Sequence, residues 1–231
     1  MLELIDVDAF YGNSRALQSV SMQIREKELL SVLGRNGVGK TTLLRTIIGL
    51  MDRMTGKLRL DDQDIAGVPT DQRAKFGIAY VPQGRGILPK FTVRENLHLG
   101  LFARRNPPTT LDEFVFELFP ILKEHLNRLG GNLSGGQQQQ LAIARALLTE
   151  PKIILLDEPT EGIQPSIVEE IEGVILKLNR QHGIAMVLVE QNVAFARRAS
   201  QRFVIMERGT IAAQGDIGEL TDSLVHKHMT V

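Results

Sequence analysis

The chain alternates apolar and polar positions over residues 2–7 and 16–24, most clearly at Val20, Met22 and Ile24. That period of two predicts a pair of antiparallel strands with one face in water. Phe10-Tyr11-Gly12-Asn13 lies between them and reads as a turn with an aromatic ring at its edge. The pattern then becomes continuous: Leu29-Leu30-Ser31-Val32-Leu33 predicts a strand covered on both sides, and residues 42–48 follow with helical spacing. Further along, residues 56–60 predict a strand, residues 61–64 a turn and residues 70–75 a short helix. Residues 77–81 predict another strand, stopped by Pro82.

Residues 84–149 change to a helical pattern. Thr92-Val93-Arg94-Glu95 and Thr110-Leu111-Asp112-Glu113 both fit the capping box that opens a helix, and Asn106-Pro107-Pro108 breaks the chain between them. Ser134-Gly135-Gly136-Gln137 opens a long helix that runs through Leu147. The strand period returns in Ile153-Ile154-Leu155-Leu156, which is apolar throughout and so suits a parallel sheet covered on both faces. Pro165 starts a helix that extends to Arg180, residues 185–189 make the next strand, and a helix starts near Gln191 and Asn192. A strand at 203–206, a turn at Gly209 and a short helix near 216–224 finish the chain. No internal repeat, low-complexity tract or linker interrupts this order. The fold expected is α/β, with an antiparallel β part and a helical insert.

Composition narrows the function without naming it. The 231 residues are 43% apolar and 23% charged, the balance of a globular domain. Formal net charge is zero, which gives no electrostatic reason to expect nucleic acid as a partner. There is no cysteine, so disulfides and thiolate metal sites are excluded. The first residues enter a strand pattern directly, and no signal segment is expected ahead of it. No apolar run approaches the ~18 residues of a membrane span, so any membrane association goes through a partner.

The chemistry gathers where strands end. Gly34-Arg35-Asn36-Gly37-Val38-Gly39-Lys40-Thr41 fits G-x-x-x-x-G-K-[ST], with a strand before it and a helix after it. Gly34, Gly37 and Gly39 let the backbone bend and turn N–H groups inward, and the helix start adds partial positive charge. Together with Asn36 and Thr42, this loop is a candidate phosphate cradle. Lys40 is placed to reach terminal phosphates, and Thr41 to put its hydroxyl on Mg²⁺. Asp157 ends a buried strand at the edge where ligands bind, as a metal-holding acid needs to. Its neighbour Glu158 is a candidate base for water attacking the γ-phosphate; a solvated pair of strand-end acids is the bland alternative. Gln83 stands just past another strand end. Tyr11 can stack on a base or simply cover a sheet edge. The Ser134 turn is a second helix start suited to phosphate, although the chain has one P-loop only. Two chains sharing two nucleotides would use both.

Leu133-Ser134-Gly135-Gly136-Gln137 resembles the signature of ABC-type ATPases. With the P-loop, Gln83 and the run from Ile153 to Glu158 in the expected order, the resemblance spans essentially the whole chain. It implies a P-loop NTPase of residues 1–231, with a RecA-like core and β subdomain in 1–83 and 150–231 and a helical subdomain in 84–149. It also implies ATP and Mg²⁺ as cofactors. Tyr11 would lie on adenine. Thr41, Gln83 and Asp157 would hold the metal. Ser134, Gly135, Gly136 and Gln137 would face the nucleotide of a second ATP-binding subunit in a head-to-tail pair. Gln83 would report to transmembrane permease subunits, which a periplasmic solute-binding protein serves. The chain would then sit peripherally on the cytoplasmic face of the inner membrane.

Val189-Glu190-Gln191-Asn192 and Glu161-Gly162-Ile163-Gln164-Pro165 resemble importer ATPases of the branched-chain amino acid type. Residues 133–147, Gln164-Pro165-Ser166-Ile167 and the ending Met229-Thr230-Val231 are most similar to the urea-transport ATP-binding subunits of that group. None of these residues touches a transported solute. One departure stands out: most ABC ATPases carry histidine where this chain has Gln191. Its amide is expected to donate to the γ-phosphate and steer water, with a helix-capping role as the bland alternative. Two other classes remain in view, a soluble ABC-type machine acting on ribosomes or DNA and a small-molecule P-loop kinase. The first would want a second P-loop, a coiled-coil insert or a basic patch, and the second has no use for Gly135-Gly136.

Overall fold

A computed structural model describes residues 1–104 and 106–229. The resemblance expected at Thr230 and Val231 therefore lies outside the described residues. Two sheets carry the fold. The first has four strands in the order β2-β1-β4-β5, with β1 Leu2–Tyr11, β2 Ser14–Ile24, β4 Arg53–Leu60 and β5 Gln63–Asp64, all antiparallel. The second has six strands in the order β10-β9-β3-β8-β7-β6. Here β3 is Leu29–Leu33, β6 Ile78–Val81, β7 Ile153–Asp157, β8 Ala185–Glu190, β9 Arg202–Glu207 and β10 Thr210–Asp216. Five of them run parallel, and β10 returns antiparallel along the edge.

Strand alternation explains why these central strands read as unbroken apolar runs. Along β7, Ile153 and Leu155 point into the core shared with the four-stranded sheet and α1 (Lys40–Ile48). Ile154 and Leu156 point the other way, into the core shared with the helices. Those helices include α3 Val93–Leu101, α4 Glu113–Leu118, α5 Pro120–Glu124, α6 Gly135–Leu147 and α7 Pro165–Arg180. Both faces of β7 are thus buried, as a parallel sheet covered on two sides requires.

Helix α2 (Thr70–Lys75) and α7 have the limits the sequence predicts, and the boxes at Thr92 and Ser134 both form. Five expectations change, and the first is that Gln63 and Asp64, expected in a turn, pair with β4 as the short strand β5. Phe10 and Tyr11 belong to β1, and the turn is confined to Gly12 and Asn13. Thr110 opens no helix: the Asp112 carboxylate accepts from the Phe114 N–H at 3.0 Å and starts α4 two residues later. The edge strand β10 was not expected, because Thr210-Ile211-Ala212-Ala213-Gln214 lacks apolar–polar alternation and none of its side chains is fully buried. The final helix then begins late: a 3₁₀ turn spans Ile217–Glu219 and α9 spans Asp222–Met229. Between β8 and β9 lies α8, Val193–Ala199. No described helix is long and apolar enough to cross a membrane.

Candidate functional site

The loop from β3 to α1 surrounds a cavity of about 540 Å³, lined by Asn36 to Thr42 with Arg15, Gln83, Glu158 and Arg208 among others. Its bends need glycine at defined points. Gly34 has φ +148°, and a methyl there would lie 2.7 Å from the Met206 carbonyl oxygen. Gly39 has φ +108° and starts α1 with no side-chain cap and no acidic residue in the first turn. The opening N–H groups of α1 therefore lack any side-chain acceptor. This is the arrangement in which a helix start takes an anion.

The turn after β9 braces this loop from behind. The Gly209 N–H donates to the Val38 carbonyl at 2.8 Å, and the Gln18 N–H donates to the Gly209 carbonyl at 2.8 Å. A methyl on Gly209 would overlap the Ala16 carbonyl. Nothing in the local sequence around Gly209 signals that role.

Lys40 is buried, and its ammonium donates to the carbonyls of Gly34 at 2.8 Å and Arg35 at 2.9 Å. It also lies 3.4 Å from the Glu158 carboxylate. Sheet order creates this meeting, since β7 and β3 both flank β8 and end at the same edge. Glu158 has φ +46°, a left-handed backbone that costs a non-glycine residue about 1–3 kcal/mol and is typical of functional sites. Its N–H is anchored on the Val189 carbonyl at 3.0 Å.

Asp157 is 1% exposed. Thr41 donates its hydroxyl to one carboxylate oxygen at 3.2 Å, and Tyr80 donates to the other at 3.0 Å. Burial pushes the Asp157 carboxyl above the usual carboxylate range, and the Tyr80 and Thr41 bonds oppose that shift. Burial also pushes the Tyr80 phenol up, with Asp157 adding to it, so Tyr80 stays a donor. The Thr41 hydroxyl and Asp157 carboxylate form a small set of hard oxygen donors, which suits Mg²⁺ with its other ligands drawn from phosphate and water. Among the described residues, no group of three or more histidine or acidic side chains could hold a metal alone.

Gln191 is not a helix cap; Asn192 takes that role by accepting from the Phe195 N–H at 3.0 Å. The Gln191 amide instead donates to Asn36 at 2.8 Å and to both Glu158 oxygens at 3.0 and 3.1 Å. Gln83 lines the same cavity, but its amide donates to Glu161 at 2.8 Å rather than to Asp157 or Thr41. Tyr11 ends β1 half-exposed, with the Arg45 guanidinium 5.6 Å from its ring centre, and does not line the cavity.

Ser134 and Gln137 close their box at 3.0 and 3.3 Å. They and the two glycines are absent from the cavity wall. Within this chain a methyl on Gly136 would overlap Ile167, while one on Gly135 would lie 3.0 Å from the flexible end of Arg85.

Two further residues belong to the site. Tyr80 orients Asp157, as above. Glu190 is buried, accepts from the Thr160 hydroxyl at 2.8 Å and from the Gln191 N–H at 3.2 Å, and is pushed up chiefly by burial. An acid closing an apolar strand run was the available signal for Glu190.

The pattern that defines the ABC transporter family matches residues 17–161. The chain belongs to the ABC transporter family. It is 39% identical over 212 residues to the high-affinity branched-chain amino acid transport ATP-binding protein BraG of Pseudomonas aeruginosa, covering 91% of each chain. It is 34% identical over 224 residues to the probable branched-chain amino acid transport ATP-binding protein LivF of Archaeoglobus fulgidus, covering 96% of this chain and 94% of that one. Among solved structures, the dimeric post-hydrolysis state of the ATP-binding cassette MJ0796 with ADP and Pi superposes with a TM-score of 0.83 at 29% identity. That match covers 94% of this chain and 99% of the other. This ABC cassette is accordingly an ATPase subunit of the ABC transporter type, with the α/β fold, antiparallel sheet and helical part of its family. The soluble-machine and kinase readings are not favoured.

Proposed function

We propose that this ATPase powers the import of a small polar solute, either urea or branched-chain amino acids and their amides. The observation that carries the ATPase part is the buried Lys40–Glu158 pair at 3.4 Å beneath an uncapped helix start. The solute class rests on the likeness to BraG and LivF and on the urea-type residues noted above.

In this reading Gly34, Asn36, Gly37, Gly39, Lys40, Thr41 and Thr42 hold the phosphates and Tyr11 covers the adenine. Thr41, Asp157 and Gln83 would hold Mg²⁺, which when bound neutralises charge developing on the phosphates. Lys40 exchanges its loop carbonyls for phosphate oxygens. Glu158 then takes a proton from the attacking water, while Gln191 fixes that carboxylate. Ser134, Gly135, Gly136 and Gln137 face the nucleotide of a second subunit, because they lie away from their own P-loop cavity. The chain would work as one ATPase domain, with residues 84–149 as its helical subdomain. It would sit on the cytoplasmic side of the membrane against permease subunits and take no nucleic acid.

Co-purifying the chain with its membrane partners tests the function. ATPase activity in the assembled complex should rise when the receptor is loaded with one solute class. Activity indifferent to membrane partners, with cosedimentation on ribosomes, would favour the soluble machine instead.

The docking face has its own test. Leu88, Phe91 and Leu129 are 37, 44 and 42% exposed. The Gly130 N–H donates to the Phe91 carbonyl, and a bridge joins Thr92 to Leu129, so the three side chains share one region. Their exposure suits an apolar partner. Leu88→Asp should weaken capture by the permease about 10–100-fold, the range of an interface anchor, with ATP binding unchanged. Full assembly of this folded variant would remove Leu88 from the docking face.

A further inference from the structure

Gly84, Arg85 and Gly86 are consecutive residues in the left-handed region, with φ of 76°, 73° and 58°. Glycine adopts that backbone freely, but arginine does so against a steric cost. Main-chain bonding does not call for arginine there. The Arg85 N–H donates to the Pro82 carbonyl and the Gly86 N–H to the Gly84 carbonyl, each at 2.9 Å, and any non-proline residue supplies both. The reason lies in the side chain. The left-handed turn sends the Arg85 guanidinium to the first turns of α6, where it donates to the side-chain Oε1 of Gln138 at 3.2 Å. It also stands over Gly135, which has no side chain to displace it.

A cation at the positive end of a helix is electrostatically misplaced unless something else holds it. Gln138 supplies that hold and relays it. Its amide donates to the carbonyls of Leu133 at 3.2 Å and Gly130 at 3.3 Å, just ahead of Ser134. A second tie runs beside it, since Arg145 of α6 donates to the Gly86 carbonyl at 2.7 Å. At the other end of the segment, Gln83 donates to Glu161, three residues past Glu158. One continuous set of contacts therefore runs from the Glu158 loop through Gln83 and Arg85 to the Ser134 turn.

We propose that Arg85 is a positioning residue that locks the Gln83 segment to the Ser134 turn, so that a shift of Gln83 at one P-loop resets the surface offered to the partner subunit's nucleotide. The proposal rests on the shared-site reading above and names a residue that reading does not contain. Coupling of this kind needs contacts that move together, and here each link is a side chain with a defined partner.

The test uses a Glu158→Gln background, in which ATP persists, and follows ATP-dependent dimerisation by sedimentation. Arg85→Asn is the main variant: asparagine tolerates the left-handed backbone but is too short to reach Gln138. The ATP concentration giving half-maximal dimer should rise about tenfold, within the range seen for partners in one hydrogen-bond network. Binding of a fluorescent ATP analogue to the monomer should stay unchanged. Gln138→Ala should act in the same direction, and the double variant should be no worse than the worse single one. An unchanged dimerisation midpoint for Arg85→Asn overturns the proposal, as do effects that multiply in the double variant. So does a loss of monomer affinity equal to the loss of dimer, which would place Arg85 in its own subunit's site. If the background with Arg85 intact never dimerises with ATP, the shared-site reading falls and this proposal falls with it.

Discussion

Glu158→Gln should bind ATP as the parent does and then keep it, with turnover reduced about 10²–10⁴-fold, the usual range for loss of a general base. The substitution keeps the size of the side chain and its ability to accept the Gln191 amide, now 3.0 and 3.1 Å from the two carboxylate oxygens. It removes the charge opposite Lys40, 3.4 Å away in a pair largely shielded from water. An uncompensated ammonium in that position should favour the anionic nucleotide, so binding is expected to hold or tighten. Single-turnover hydrolysis and equilibrium binding, measured on the same preparation, separate the two effects. Parental turnover by this variant would remove Glu158 from the chemistry and leave it as a partner for Lys40 alone.

Gln191→Ala should lower single-turnover hydrolysis in the assembled complex about 10–100-fold, with ATP affinity less affected. That magnitude corresponds to one hydrogen bond to a charged group, about 1.5–3 kcal/mol, felt mainly in the transition state. The structure changes the reason for expecting it. The amide bridges Asn36 of the P-loop and the Glu158 carboxylate, so its removal frees the base as well as any contact to phosphate. Gln191→His keeps a ring N–H donor at this position and should retain substantial activity. It should also add a titration near neutrality, because imidazole changes charge near pH 6.5 and an amide does not. A parental rate for Gln191→Ala would leave Glu158 as the only side chain directing water.

Local rules carried the sequence reading a long way. The limits of α2 and α7, the boxes at Thr92 and Ser134, the doubly buried strands and the glycine pattern of the P-loop all follow from periodicity, proline and capping chemistry within a few residues. Thr110 shows where those rules compete: two capping residues stand two positions apart, and the Asp112 carboxylate reaches an N–H while the Thr110 box stays unformed. The strand β10 shows where they fade, since Ile211-Ala212-Ala213 runs apolar without alternation on an edge where no side chain is fully buried.

The partners within the site were decided at longer range. Gln191 meets Glu158 from 33 residues away and Asn36 from 155, because sheet order sets the ends of β8, β7 and β3 along one edge. Tyr80 reaches Asp157 for the same reason, across the β6–β7 pairing. A Cβ on Gly135 would meet the Arg85 guanidinium at 3.0 Å, a proximity that exists only once the left-handed turn at 84–86 has brought that guanidinium to α6. Periodicity, capping and backbone φ preferences act over one or two turns of chain and determined the elements and the P-loop from sequence alone. Which side chain faces which depends on strand order and on the packing of both sheet faces, and only the tertiary structure decided that.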